Sequence, residues 1–520
     1  MRAAAPELEP NEKLVQRLQM LQLEQESARR GKGLEIGGVV APTRAEMLRR
    51  REAGGEGGDA PASADMSVST MQEWEKELLE DPKNRLALAA LSSNAPASVL
   101  TSRSALIADP QTFNVKIPLE GAPITNQRAS GRCWLFASTN VFRVALMRRH
   151  GLKEFELSQA YLFFWDKIEK ANYFLEQIID TADESLDSRL VQTLLAAPVN
   201  DGGQWDMVAN LVEKYGLVPQ ALYPDSFNAM NSRAIDTIIT TKLREDALDL
   251  RRLATGAAGR GVAARTSLAK VKHAMVRDVH RILTLTLGPP PSPHNNFTWD
   301  YYDKDEKLHT LTTTPLAFAR ELASSASMRA CGGTDVHRLF SLVNDPRNPY
   351  GELLTVSRLG NVVGGHPIRY VNVDMATMKA ACIGMLRRGL PIFFGSDVGK
   401  YSDSQSGVMD TGLIDYELGF NIRLGMTKSQ RLQTGESAMT HAMVLTAVHL
   451  VEERPVRWRV QNSWGTAAGT DGWFVMSDRW MDEFVYQAVV DPAFVSKEVC
   501  DVLRQTPRSL DLWDPMGALA

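Results

Sequence analysis

A cysteine stands where a polar turn meets an apolar run: Gln127-Arg128-Ala129-Ser130-Gly131-Arg132-Cys133-Trp134-Leu135-Phe136-Ala137. With the apolar run as a helix, Cys133 occupies its N-terminus, where unpaired backbone N–H groups and about half a positive charge favour thiolate over thiol. The Cys133 N–H and the Gln127 side-chain amide are candidate donors to a developing oxyanion. A thiolate nucleophile needs a base and a group that orients the base. His441, in Thr440-His441-Ala442-Met443, and Asn462, in Gln461-Asn462-Ser463-Trp464-Gly465, supply them. The chemistry is acyl transfer: the sulfur attacks a carbonyl, His441 protonates the departing amine, and a water activated by His441 clears the acyl-enzyme. Asn462 fixes the imidazole by accepting its N–H, and Trp464 covers that bond from water. The other cysteines, Cys331, Cys382 and Cys500, read as inert thiols. His449 reads as a satisfied core histidine facing the same way as His441, and His366 as a structural loop residue.

The order Cys, His, Asn resembles that of the papain-like cysteine peptidases, with an informative departure. Their signature is Cys-Gly-Ser/Ala-Cys-Trp, with His and Asn about 130–150 residues after the nucleophile. Here Ser130 takes the first position, and the distance to His441 requires an insertion of roughly 160–180 residues. The bleomycin hydrolase branch carries such an insertion, and its wording is matched at Ile124-Thr125-Asn126-Gln127, Phe155 to Lys167, Asp201-Gly202-Gly203-Gln204-Trp205-Asp206-Met207 and Trp513 to Ala520. The resemblance covers about residues 70–520. It implies an α+β papain-like fold, a helical half facing a β-rich half. A large inserted subdomain at about 225–360 and a C-terminal arm at about 508–520 are added to it. It implies that Gly202 and Gly203 line the substrate cleft and that the arm lies in the cleft. Ala520 would then meet the free amine of a peptide substrate, giving a cysteine aminopeptidase of broad specificity that also hydrolyses the bleomycin amide. A homohexameric ring is implied as well.

The elements that must position these residues can be read from pattern. A helix is expected from Cys133 to about Arg149, with Ala137, Val141, Val144 and Ala145 on its buried stripe, and a second from Leu157 to about Asp180. Segments 439–450 and 458–462 read as neighbouring strands, His441 at the mouth of the first and Asn462 at the end of the second. Lys242 to Arg281 reads as helical. After Gly288-Pro289-Pro290-Pro291, the stretches 297–302 and 308–311 read as a hairpin. Before all this, residues 1–68 form an extension: an amphipathic helix at 11–30, Arg49-Arg50-Arg51 as a solvated charge run, and a disordered linker at 52–65. Thr70 followed by Glu73 reads as a capping box opening the peptidase domain, 69–520.

The whole chain has 520 residues, 44% of them hydrophobic and 23% charged, with net charge −4. That charge does not support nucleic-acid binding. Four cysteines form no disulfide framework, and no cysteine or histidine spacing suggests a metal, so neither metal nor cofactor is expected. No apolar run is long enough for a membrane span, and the cytosol is the expected setting. Two other readings stay open: a cysteine endopeptidase, and a nucleic-acid-binding or scaffold ring in which peptidase activity is secondary.

Overall fold

The computed structural model describes residues 66–256, 262–324, 335 and 338–519. The expected helix at 11–30, the 49–51 charge run, the linker, Cys331 and Ala520 all lie outside these residues.

The described chain divides into two compact units. The smaller holds residues 66–108 and 414–422. Its first helix, Val68–Glu80, is capped by Ser67, whose hydroxyl accepts the Thr70 N–H at 3.1 Å. The helix therefore starts before Thr70, and the expected Thr70–Glu73 box is not its cap. Further helices are Pro82–Leu91, Pro96–Leu100, Arg103–Ala108 and Tyr416–Phe420.

The larger unit holds residues 109–413 and 423–519. Its helical half is built on α1 (Cys133–His150), α2 (Gln159–Asp180), α3 (Trp205–Tyr215), α4 (Arg233–Thr255) and α5 (Val262–Leu287). α1 is buried all round except at its last turn, as befits a central helix. Gly151 ends it in the left-handed conformation, with Arg148, Arg149 and His150 in the last turn, where cations suit the helix dipole. α2 begins at Ser158, whose hydroxyl accepts the Tyr161 N–H, and packs against α4 and α5.

The strands in chain order are β1 (Val115–Lys116), β2 (Phe297–Tyr302), β3 (Leu308–Thr313), β4 (Phe340–Val343), β5 (Leu353–Val356), β6 (Tyr370–Asn372), β7 (Ile392–Ser396), β8 (Ser402–Asp403), β9 (Val408–Met409), β10 (His441–Val451), β11 (Arg454–Gln461), β12 (Trp473–Ser477), β13 (Val485–Val490) and β14 (Arg508–Leu510). β2 and β3 form the hairpin, pairing Phe297 with Thr313 and Tyr302 with Leu308. The others make one sheet in the order β14-β5-β6-β4-β13-β7-β10-β11-β12-β9-β8, with β1 also on β10. β4 and β5, near the end of the 225–360 stretch, thus run inside the main sheet.

β10 is the axis of the site. Ala442 and Val444 join the core shared with α1, while Met443 and Leu445 join the core on the opposite face. Burial on both sides explains why the strand is apolar without alternation. The register against β11 shifts between Leu445 and Ala447. Thr446 there gives its carbonyl to the Ile117 N–H and its hydroxyl to Glu120. The bulge breaks the parity that placed His449 on the same side as His441. His449 is half-buried opposite Arg457, and its Nδ1 is buried without a hydrogen-bond partner among the described residues, so it is not a satisfied core histidine.

Candidate active site

The fold brings four of the expected residues together. α1 packs on β10, so the N-terminus of one meets the start of the other. The backbone N–H of Ala442, next to His441, is among the groups that favour an anion at the Cys133 sulfur. His441 Nε2 donates to Asn462 Oδ1 at 2.8 Å, and that oxygen also accepts the Ser463 N–H at 2.8 Å. Asn462 sits just past the end of β11. The Trp464 ring lies over His441, centroids 4.9 Å apart at 32°. Gln127 is joined to the same strand end. Its N–H bonds to the Ser463 carbonyl at 2.8 Å, and its Oε1 accepts the Ser463 hydroxyl at 2.6 Å. This fixes the amide with Nε2 outward to the Ser130 carbonyl, 2.7 Å away. Cys133, His441, Gln127 and Asn462 are all buried.

Electrostatics at the pair differ from the expectation of a favoured thiolate. Burial pushes the Cys133 thiol up to about 11, against the backbone N–H groups of Ala442, Trp134 and Cys133, which favour the anion. Burial likewise pulls His441 down to about 4, although its bond to Asn462 favours the cation. Desolvation outweighs the backbone donors at the thiol and the Asn462 bond at the imidazole.

The turn before Cys133 hangs on the 199–203 segment. The Asp201 carboxylate accepts the Gly131 N–H at 2.8 Å, and the Asp201 carbonyl accepts Trp134 Nε1 at 2.6 Å. Both glycine positions are set by close approach. A Cβ on Gly131 would lie 2.7 Å from the Asp201 Cβ, and one on Gly203 would lie 2.5 Å from the Trp134 ring. The Gly202 carbonyl is turned inward to Lys170 Nζ at 2.6 Å. Arg132, fully buried, holds Asp225 through both guanidinium nitrogens at 2.6 and 3.1 Å. His366 lies apart in a loop, with Nε2 3.0 Å from Glu213.

The arm reaches this wall. β14 pairs in parallel with β5; Asp514 meets Arg347 at 2.7 Å; Trp513 lies over Arg189; and Met516 is buried. The Ala518 carbonyl accepts Gln204 Nε2 at 2.6 Å, directly after Gly202-Gly203. A cavity of about 370 Å³ lies between arm and α2, lined by Tyr173, Phe174, Leu194, Gly202, Leu512 and Leu519 among others.

Sequence reasoning missed Ser463 and the lysines at 167 and 170. The signal for the lysines was present: two cations three residues apart on α2, a helix otherwise rich in Phe and Trp. Nothing local marks Ser463.

A helical half carrying a cysteine at a helix start, facing a sheet that carries histidine and asparagine, is the architecture of a papain-like cysteine peptidase. A family model described as Peptidase C1-like family matches residues 65–517. Cysteine proteinase 1, mitochondrial, from Saccharomyces cerevisiae (strain ATCC 204508 / S288c) is 43% identical, covering 88% of this chain and 94% of the yeast protein. Bleomycin hydrolase from Rattus norvegicus is 40% identical (86% and 97%), and Aminopeptidase C from Lactobacillus delbrueckii subsp. lactis is 39% identical (88% and 99%). The crystal structure of PepW from Lactobacillus rhamnosis HN001 superposes with a TM-score of 0.82 at 40% identity, covering 88% of this chain and all of that one. The chain belongs to the Peptidase C1-like family and is a cysteine-type peptidase.

Proposed function

We propose that the chain is a cysteine aminopeptidase working through Cys133, His441, Asn462 and Gln127. The observation that carries this reading is the buried His441–Asn462 hydrogen bond beside the helix start that bears Cys133. With Nε2–H committed to Asn462, Nδ1 is the nitrogen that takes the thiol proton as sulfur attacks. The resulting thiolate–imidazolium pair has the same proton count as the neutral pair, so forming it takes up no proton from solvent. The second Nε2 hydrogen of Gln127 and the Cys133 N–H bind the carbonyl oxygen as it becomes an oxyanion. His441 then gives its proton to the leaving amine and takes one from the water that frees the acyl-enzyme.

Restriction to N-terminal residues rests on the arm. Pinned at Gln204, it is proposed to run along the Gly202–Gly203 wall and to block a longer chain on that side. Ala520, next beyond Leu519, is the residue proposed to face the substrate amine. The names aminopeptidase C and bleomycin hydrolase among the relatives support this direction. Broad side-chain specificity follows from an anchor on the amine, and a homohexamer and bleomycin-type amide hydrolysis complete the reading. The reducing cytosol suits the free thiols of Cys133, Cys382 and Cys500; fractionation tests it, since the yeast relative is named as mitochondrial. No helix among the described residues is long and apolar enough to cross a membrane.

The test is hydrolysis of one fluorogenic aminoacyl amide, with its amine free and again acetylated. Cleavage of the free form alone is expected. Equal cleavage of both would leave an endopeptidase, and cleavage of neither would turn attention to the ring as a binding scaffold.

A further inference from the structure

Behind the turn that leads to Cys133 lies a buried charge cluster that the proposed mechanism does not use. Lys167, from α2, has no exposed side-chain surface. Its ammonium lies 2.7 Å from Asp201 Oδ1 and 2.6 Å from Asp236 Oδ1 and donates to the Val199 carbonyl at 3.1 Å. Asp201 Oδ2, the other oxygen, accepts the Gly131 N–H and, at 2.5 Å, the Ser232 hydroxyl. Asp201 thus grips the chain on both sides of the nucleophile, by its carboxylate two residues before Cys133 and by its carbonyl one residue after it.

That grip carries an electrostatic cost. A carboxylate this close disfavours a thiolate at Cys133, and the direction is present: Asp201 is among the groups that push the thiol up. A neutral acceptor would avoid this, but a charged one binds an N–H about twice as strongly. The arrangement keeps the charged acceptor and sets a cation on its far side. The other charges around the pair are already engaged or lie at the rim. On α2, Lys170 pairs with Asp166. Arg132 of the turn pairs with Asp225. On α4, Arg244 donates to the carbonyls of Leu195 and Ala196, while Arg233 and Asp236 line an open cavity of about 470 Å³ beside Ser130 and Gly131. Lys167 is therefore the cation in direct contact with Asp201.

Building on Cys133 as the nucleophile, we infer that Lys167 is a positioning residue for the reaction: its ammonium holds Asp201 against the Gly131 N–H and cancels the field that Asp201 would otherwise place on the sulfur. Asp236 completes the cluster from the cavity side. Burial and the neighbouring Asp201 push its carboxyl up, against the pull of Lys167.

The experiment reads the thiol directly. The rate of alkylation of Cys133 by iodoacetamide is followed against pH, with the modified peptide identified by mass spectrometry, in the unaltered chain, Lys167→Met and Asp201→Asn. Lys167→Met leaves the carboxylates uncompensated and moves the inflection up by about one pH unit, about tenfold in thiolate fraction. Asp201→Asn keeps an oxygen for Gly131 but removes the charge, and moves the inflection down. Opposite shifts carry the inference; a merely structural role would move neither, or both alike. If Lys167→Met does not fold, the downward shift of Asp201→Asn decides alone, and an unmoved inflection there overturns the inference. The two failures separate. Hydrolysis that survives alkylation of Cys133 in the unaltered chain overturns the nucleophile reading and this inference with it. Inactivation accompanied by unmoved inflections overturns the role of Lys167 alone.

Discussion

The two walls of the cleft hold their residues by opposite means. Cys133 comes from a region crowded with buried charge: Arg132 with Asp225, Lys167 with Asp201 and Asp236, Lys170 with Asp166. His441 comes from a strand whose neighbours are Ala442, Met443 and Val444, backed by Phe393 and Phe394. A nucleophile turn must aim backbone N–H groups and bend tightly, and polar partners at fixed distances do that. A base needs only one orienting bond and a dry surround, which an apolar strand gives more cheaply than ion pairs do. Charge therefore gathers behind the sulfur and is kept away from the imidazole.

Each prediction presses on that contrast, the largest first. Cys133→Ala should reduce kcat by at least about four orders of magnitude while leaving the melting temperature nearly unchanged. Retained turnover would remove the cysteine from the mechanism. Gly203→Ala should lower kcat/KM by about 100-fold, because the added methyl must displace Trp134, and with it Cys133, by a fraction of an ångström or more. Circular dichroism would check that the fold survives. Ser463→Ala frees the Gln127 amide to turn and should cost about tenfold in kcat with KM little changed.

The dry side predicts a pH profile. In the proposed mechanism His441 acts as the neutral base, and protonation below its pKa removes it. Since burial holds that value at about 4, below the ordinary 6.5, the acid limb of kcat/KM moves down with it. Between pH 7 and 5.5 less than about a tenth of the activity should be lost, whereas an ordinary imidazole would lose about tenfold. The smallest effect belongs to Cys382, buried in the helix Met375–Arg387 in the core on the face of β10 opposite α1. Cys382→Ala should leave kcat/KM within about twofold and cost about 1 kcal/mol of stability, read from denaturant unfolding.

What the sequence disclosed divides along the same line. Cys133, Gln127, His441 and Asn462 were legible because each stands in a short run whose neighbours determine its setting, a helix start or a strand end. The helices Cys133–His150 and Gln159–Asp180 were visible in apolar spacing and came within two residues of expectation. The charge cluster was not legible, since Lys167, Asp201 and Asp236 meet only through packing of α2, the 199–203 loop and α4. Period alone also failed at His449, where one bulged residue, Thr446, reversed the side on which the strand presents the residues beyond it. The desolvation of Cys133 and His441 was missed for a related reason: a helix terminus is visible in sequence, but the depth at which it is buried is not.

The dipeptide Asn462-Ser463 has a further consequence. One side chain clamps the imidazole and the next clamps the oxyanion amide, while the backbone between them is laced to residues 125–127 through Gly465 N–H to the Thr125 carbonyl and Gln127 N–H to the Ser463 carbonyl. In the proposed mechanism, proton transfer and charge stabilisation are thus tuned by a single mechanical part. Damage to it is common-mode: a displacement that detunes one function detunes the other in the same stroke. Substitutions at Asn462 and Ser463 should then combine with losses well short of the product of their separate effects, as components wired in series behave once the line is cut.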